Sequence, residues 1–257
     1  MRDPNDLTEF DRKALSLGAV YGDDRLDWRG RLELRRDTGR SAGSPRDAET
    51  IALAFSARYK IDDDARLLFA LEGIASENAT ASIPDARFAE LTFGYAFRPV
   101  DNDRLNLLAK YRYVYDMTTR SGVAPAGGAF LDSPRQKAHI LSLDAAYDLN
   151  RHWTLGGKIG ARLSEQDDGA GFVSNNATLG VVNLRFHAVR KWDFLLEARS
   201  LDAQDAGTQF GLVGAAYRHV GDNLKIGLGY NAGRFSDDLG DVTYDDRGIF
   251  LNVIGKF

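Results

Sequence analysis

The sequence predicts an all-β fold, a transmembrane antiparallel up-and-down β-barrel of about 13–14 strands. Three observations predict it. Apolar residues recur at every second position through most of the 257 residues, and the helical period is almost absent. The alternating runs are mostly ten to thirteen residues long. Soluble sheets average nearer five or six, whereas a tilted strand needs about 9–11 to cross a bilayer. Finally, short and long connections alternate strictly, as they do in barrels with short periplasmic turns and longer external loops.

The strands fall near 13–21, 25–36, 49–61, 65–76, 86–98, 104–116, 137–149, 152–164, 176–189, 192–201, 208–220, 223–235 and 247–257. In the third, Ile51, Leu53, Phe55, Ala57 and Tyr59 oppose Ser56, Arg58 and Lys60. In the sixth, Leu105, Leu107, Ala109, Tyr111, Tyr113 and Tyr115 oppose Asn106, Lys110, Arg112 and Asp116. In the eighth, Trp153, Leu155, Ile159, Ala161 and Leu163 oppose Thr154, Lys158, Arg162 and Ser164. Short turns at 22–24, 62–64, 99–103, 150–151, 190–191 and 221–222 mark one rim. Loops at 37–48, 77–85, 117–136, 165–175, 202–207 and 236–246 mark the other. Residues 1–257 read as one domain, with 1–11 a short linker or the remnant of a preceding strand. Thirteen is an odd count, so twelve strands, a short closing strand from residues 4–9, or a wall continued ahead of Met1 are the variants of this reading. The last of these is the expectation.

One face is apolar. Trp28, Tyr59, Phe97, Tyr147, Trp153 and Trp192 lie near short turns, and Tyr113, Tyr115 and Phe235 near long loops, which predicts two aromatic girdles. The other face carries fifteen basic and eight acidic strand residues. In a dry core these would be prohibitive, and in a wet lumen they cost little. The expected lumen-lining cations are Arg29, Arg31, Arg58, Lys60, Lys110, Arg112, Lys158, Arg162, Arg185, Arg199 and Lys225. They either tune an open pore towards anions or pair with acids on neighbouring strands to seal it.

The net charge of −4 gives no reason to expect a nucleic-acid partner, and the absence of cysteine excludes disulfides and thiolate metal sites. No apolar run approaches the roughly 18–20 residues of a membrane helix. The start, MRDPNDLTEF, lacks the pattern of a secretory signal, so a fragment or mature form is expected.

Candidate chemistry is sparse. A barrel lipid hydrolase would place His and Ser two apart on one strand face, yet His139, His152, His187 and His219 are followed two residues on by Leu141, Thr154, Val189 and Gly221. Asp237, Asp238, Asp241, Asp245 and Asp246 form an acidic loop without EF-hand spacing, as do the acids of 165–171 on a smaller scale. GLGYNAG (227–233) lacks the βαβ context of a dinucleotide site, and its glycines read as relief of crowding on the inner face. No catalytic residue, cofactor or resident metal is expected.

The terminal Phe257, with Ile249, Leu251 and Val253 at alternate earlier positions, resembles the C-terminal signal read by the outer-membrane barrel assembly machinery. Gly255 stands where that signal commonly has a bulky residue. FRPVDNDRLNLLAKY (97–111), YDLNRHWTLGGKIGAR (147–162) and YRHVGDNLKIGLGYNAGRFSDDL (217–239) resemble the C-terminal barrel of very large repeat-containing surface proteins of Gram-negative bacteria. The resemblance runs from about residue 12 onward. It implies a non-enzymatic membrane anchor and translocation unit for an upstream passenger region, embedded in outer-membrane lipid and lipopolysaccharide. A general porin with weak anion preference is the alternative, and a lipid hydrolase the remote one.

Overall fold

The structure, a computed structural model, describes residues 9–41, 44–79, 86–116, 136–167, 171–188, 191–204, 207–221, 223–235, 239 and 247–255. It contains β1 (Glu9–Gly22), β2 (Leu26–Ser41), β3 (Ser44–Lys60), β4 (Ala65–Asn78), β5 (Ala86–Phe97), β6 (Leu105–Asp116) and β7 (Gln136–Asn150). The chain continues through β8 (Trp153–Asp167), β9 (Phe172–Ser174), β10 (Ala177–Ala188), β11 (Trp192–Ala203), β12 (Gly207–Val220), β13 (Leu224–Asn231) and β14 (Gly248–Gly255). They make one antiparallel up-and-down sheet in chain order, with the short β9 folded onto β8 off the main path. Among the described residues no pairing links β14 to β1.

Thirteen of these strands match the alternating runs, and β9 is an addition within the 165–175 loop. The largest differences are at the expected 37–48 loop, where β2 runs on to Ser41 and β3 begins at Ser44, and in β13, which ends at Asn231 instead of 235 because the chain there turns inward. Lys256 and Phe257 lie outside the described residues, as do Asp237, Asp238, Asp241, Asp245 and Asp246.

The short turns are built by Asx residues, whose side chains take over backbone donors that the ladder leaves behind. Asp23 Oδ1 accepts from the N–H of Arg25 and Leu26, at 2.8 and 2.7 Å. Asp62 does the same for Asp64 and Ala65, and Asn150 for His152 and Trp153. The Leu26 and Arg25 amides, with the Tyr21 hydroxyl, hold the Asp23 carboxyl below its ordinary pKa. Lys60 does likewise for Asp63.

Register carries each face across the whole sheet. Leu17 opposes Leu32, Leu32 opposes Leu53, and Leu53 opposes Gly73; near the far edge Leu228 opposes Leu251. Leu228 and Leu251 are 60% and 70% exposed, a cost in water that a lipid contact removes. Along β3 the outward residues are apolar from Ile51 to Tyr59, about 26 Å at 3.3 Å per residue. Beyond this belt, at the long-loop end, outward charges begin. Arg36 pairs with Asp47 at 3.1 Å and Glu49 at 3.4 Å, and Arg87 with Glu77 at 3.8 Å.

Aromatic rings mark the short-turn edge of the belt. Trp28 stacks between Tyr21 and Phe55, and Trp153 lies 4.5 Å from Phe186. The Arg218 guanidinium lies 5.7 Å from the Trp192 ring. At the opposite edge the Tyr111 hydroxyl meets His139 Nδ1 at 2.9 Å, and the Tyr113 ring lies 4.8 Å from the same imidazole. Phe235 does not join this girdle, contrary to the sequence expectation. It is 1% exposed and packs inside: position 235 is in step with Lys225, Gly227 and Gly229 on the inner face, and the strand itself stops four residues earlier.

Candidate functional site

The inner face holds the chemistry. Register places Arg29 and Arg31 on β2, Arg58 and Lys60 on β3, and Lys110 and Arg112 on β6, all on the side opposite the apolar belt. Lys158 and Arg162 of β8, Arg185 of β10, Arg199 of β11 and Lys225 of β13 continue the same face. All eleven expected cations therefore share one side of the sheet, although the structure does not bring them to one point.

Pairing is uneven and runs both along strands and across them. Arg31 reaches Glu33 at 2.8 Å, Arg35 reaches Asp37 at 3.4 Å, and Arg199 reaches Glu197 at 2.6 Å, each two residues apart on its own strand. Arg12–Asp37 at 2.7 Å, Arg58–Asp27 at 3.5 Å and Lys225–Asp193 are cross-strand cases, and Lys60 closes its own turn on Asp63. Among the described residues no partner holds the side chains of Arg29, Arg66, Lys110 or Arg185.

Two arrangements were not visible in the sequence as sites. The first is an inward-folded segment after β13. Phe235 and Leu239 are buried against inner-face residues of four strands: Ala138 and Ile140 of β7, Ala177, Leu179 and Val181 of β10, and Leu201 and Ala203 of β11, with Val114 of β6 alongside. Burying two such side chains is worth about 1.5–3 kcal/mol each. Arg162 Nη1 donates to the Leu239 carbonyl at 3.1 Å, and Arg199 Nη1 to that of Phe235 at 3.5 Å. The Gly233 N–H donates to Asn231 Oδ1 at 2.9 Å, which fixes the inward turn. Two missing side chains make room: a Cβ at position 160 would fall 2.7 Å from Leu239 Cδ1, and one at 211 would fall 2.9 Å from the Gly233 Cα. The signal available beforehand was Phe235 and Leu239, two apolar residues four apart in an otherwise acidic stretch. In GLGYNAG the inner-face glycines do relieve crowding: Cβ atoms at 227 and 229 would strike the rings of Tyr217 and Phe250.

The second arrangement is a polar cluster at the short-turn end. The buried Asp193 accepts from His187 Nδ1 at 2.9 Å, from His219 Nε2 at 2.8 Å, and from Lys225 Nζ. Four consecutive strands, β10 to β13, converge here because His187 opposes Asp193 and His219 opposes Lys225 in register. Thr154 lies 3.4 Å from His187 Nε2, so Thr154, His187 and Asp193 are the described residues nearest to a nucleophile–base–acid trio. Thr154 Oγ1, however, donates its proton to Asp148 at 2.5 Å. The hydroxyl is thereby directed away from the imidazole that a nucleophile would need as base. No group of three or more His, Asp or Glu able to hold a metal ion occurs among the described residues.

No protein-family model and no curated protein matches the chain. Solved structures do. The siderophore receptor PirA from Pseudomonas aeruginosa superimposes with a TM-score of 0.60 at 11% identity, covering 91% of this chain and 44% of the receptor. PirA from Acinetobacter baumannii gives 0.62 at 11%, covering 86% and 40%. The copper transporter OprC gives 0.56 at 12%, covering 93% and 49%. The chain spans less than half the length of these proteins. Their likeness, with the apolar belt and the polar inner face, defines the class: the fold is that of an outer-membrane β-barrel.

Proposed function

We propose that the chain is a barrel wall of the bacterial outer membrane that anchors, and helps to pass, an upstream extracytoplasmic region. At rest its lumen is stoppered by the segment end at Phe235 and by Leu239. The observation that carries this reading is the seat of Phe235 and Leu239 on the inner face, held by Arg162 and Arg199. A segment whose two apolar side chains are packed to 1–3% exposure against the inner wall narrows the lumen. Lipid and lipopolysaccharide surround the belt, and the assembly machinery reads the end at Phe257. Transport through the wall agrees with the names of the similar structures, a siderophore receptor and a copper transporter.

A second reading, a porin leaning towards anions, is favoured by Arg29, Arg66, Lys110 and Arg185, cations without partners among the described residues. Single-channel recording of refolded protein separates the two. The anchor predicts long silence with rare openings, and a steady anion-selective current would defeat it.

A further inference from the structure

The seat inside the barrel reads two kinds of feature at once. Apolar side chains of β7, β10 and β11 receive Phe235 and Leu239, while two guanidinium groups receive main-chain carbonyls of the same two residues. Neither contact depends on which polypeptide supplies the ligand, since carbonyls are common to every residue. Gly160 and Gly211 are shaped recesses, one for a leucine side chain and one for a close backbone. The walls need no rearrangement to receive a segment of this kind, because they already hold one.

We infer that this seat is a peptide-binding site that takes a segment with two large apolar side chains four residues apart, and that Phe235 and Leu239 occupy it as a self-ligand. The inference deepens the anchor reading, on which it rests, by giving the chemical class of the passenger segment: apolar anchors on a flexible main chain, with no requirement for charge on the ligand. The self-ligand is tethered directly after β13, so its local concentration is in the millimolar range and it excludes weak competitors. A passenger segment threading the lumen meets the same concentration advantage and displaces it.

The test uses the full chain refolded in detergent and a fluorescent peptide of residues 231–240, NAGRFSDDLG. The variant Phe235→Ser/Leu239→Ser leaves the seat open. By the loss of tethered competition its Kd for the peptide should fall at least about tenfold below that of the wild type. A peptide with serine at both apolar positions should not bind. Adding Gly160→Leu to the open variant fills the leucine recess and should abolish binding, while heat-modifiable gel migration stays unchanged. No peptide binding by the folded open variant would overturn the inference. So would equal binding of the serine peptide, or binding that survives Gly160→Leu. A steady current from the wild type together with specific peptide binding would refute the anchor and keep the site, so the two failures are distinguishable.

Discussion

The wall has two unlike arcs. In β1–β6 the inner face is open, its ion pairs are exposed apart from Asp37, which is buried beneath Arg12 and Arg35, and among the described residues Arg29, Arg66 and Lys110 have no partner. In β7–β14 the inner face is filled: nearly all the buried apolar residues lie there, together with the Asp193 cluster and the inward segment. Both arcs obey the same alternation and the same ladder. What separates them is side-chain size and charge on one face. Small or apolar inner residues such as Ala138, Gly160, Ala177, Leu179 and Gly211 accept a packed segment, whereas Arg29, Arg31, Glu33 and Arg35 on β2 keep water in. A barrel wall can therefore carry a core on one side of its lumen and a channel-like surface on the other.

The contrast can be broken most strongly at the seat. Gly211→Val, which collides with Gly233, should eject the inward segment and turn a silent protein into a conducting one in planar bilayers. Gly18→Val in the open arc, where a Cβ at position 18 would have only ordinary contact at 3.7 Å, should leave the recordings unchanged.

Next in size is the buried acid. Asp193→Asn weakens three charged contacts, and losing charge-assisted hydrogen bonds of this kind costs about 2–3 kcal/mol. Urea unfolding in detergent should register that loss. Glu33→Gln in the open arc, facing an exposed Arg31, should cost no more than about 1 kcal/mol. Equal losses at the two sites would erase the distinction between the arcs.

A smaller effect concerns ions. In the conducting Gly211→Val background, Arg29→Glu with Lys110→Glu should shift the reversal potential towards cations, whereas the same reversal at Arg36, outside the belt, should not. The smallest effect is at a turn. Backbone amides stabilise the Asp23 carboxylate and depress its pKa, so its contribution is complete above the unfolded carboxylate pKa, about 4, and is lost as pH falls through the lower folded value. Asp23→Ala should therefore unfold slightly more easily at pH 7 and no differently from wild type near pH 2, as read from the heat-modification midpoint.

The strands, the turns and the assignment of faces were legible in the sequence because a period of two is local, and Asp23, Asp62 and Asn150 announce their turns. Phe235 looked like a girdle residue only because it is an aromatic beside a long loop; its alternation with Gly229, Asn231 and Gly233 places it on the inner face, and the hydrogen bond from the Gly233 N–H to Asn231 Oδ1 turns the chain there. The seat joins residues about a hundred positions apart, such as Ile140 and Leu239, and no spacing rule brings those together. The Asp193 cluster was one register step away: a two-residue turn at 190–191 would set Ala188 opposite Asp193, whereas β10 ends at Ala188 and β11 begins at Trp192, which brings His187 opposite Asp193. The mistake was to weigh each histidine by its neighbours along the chain instead of its neighbour across the hairpin.

The free edges of the sheet carry a constraint of parity. β1 runs from the long-loop rim to the short-turn rim, and so does β14, since twelve reversals along the main path separate them. Two strands of the same direction can only join in parallel. A hydrocarbon environment does not tolerate a bare row of amides and carbonyls. The circumference is therefore completed in one of two ways: by one parallel seam in an otherwise antiparallel wall, or by an odd number of strands rising between Leu251 and Leu17. Each solution has its own diameter, and that diameter sets how far the open arc stands from the stoppered one.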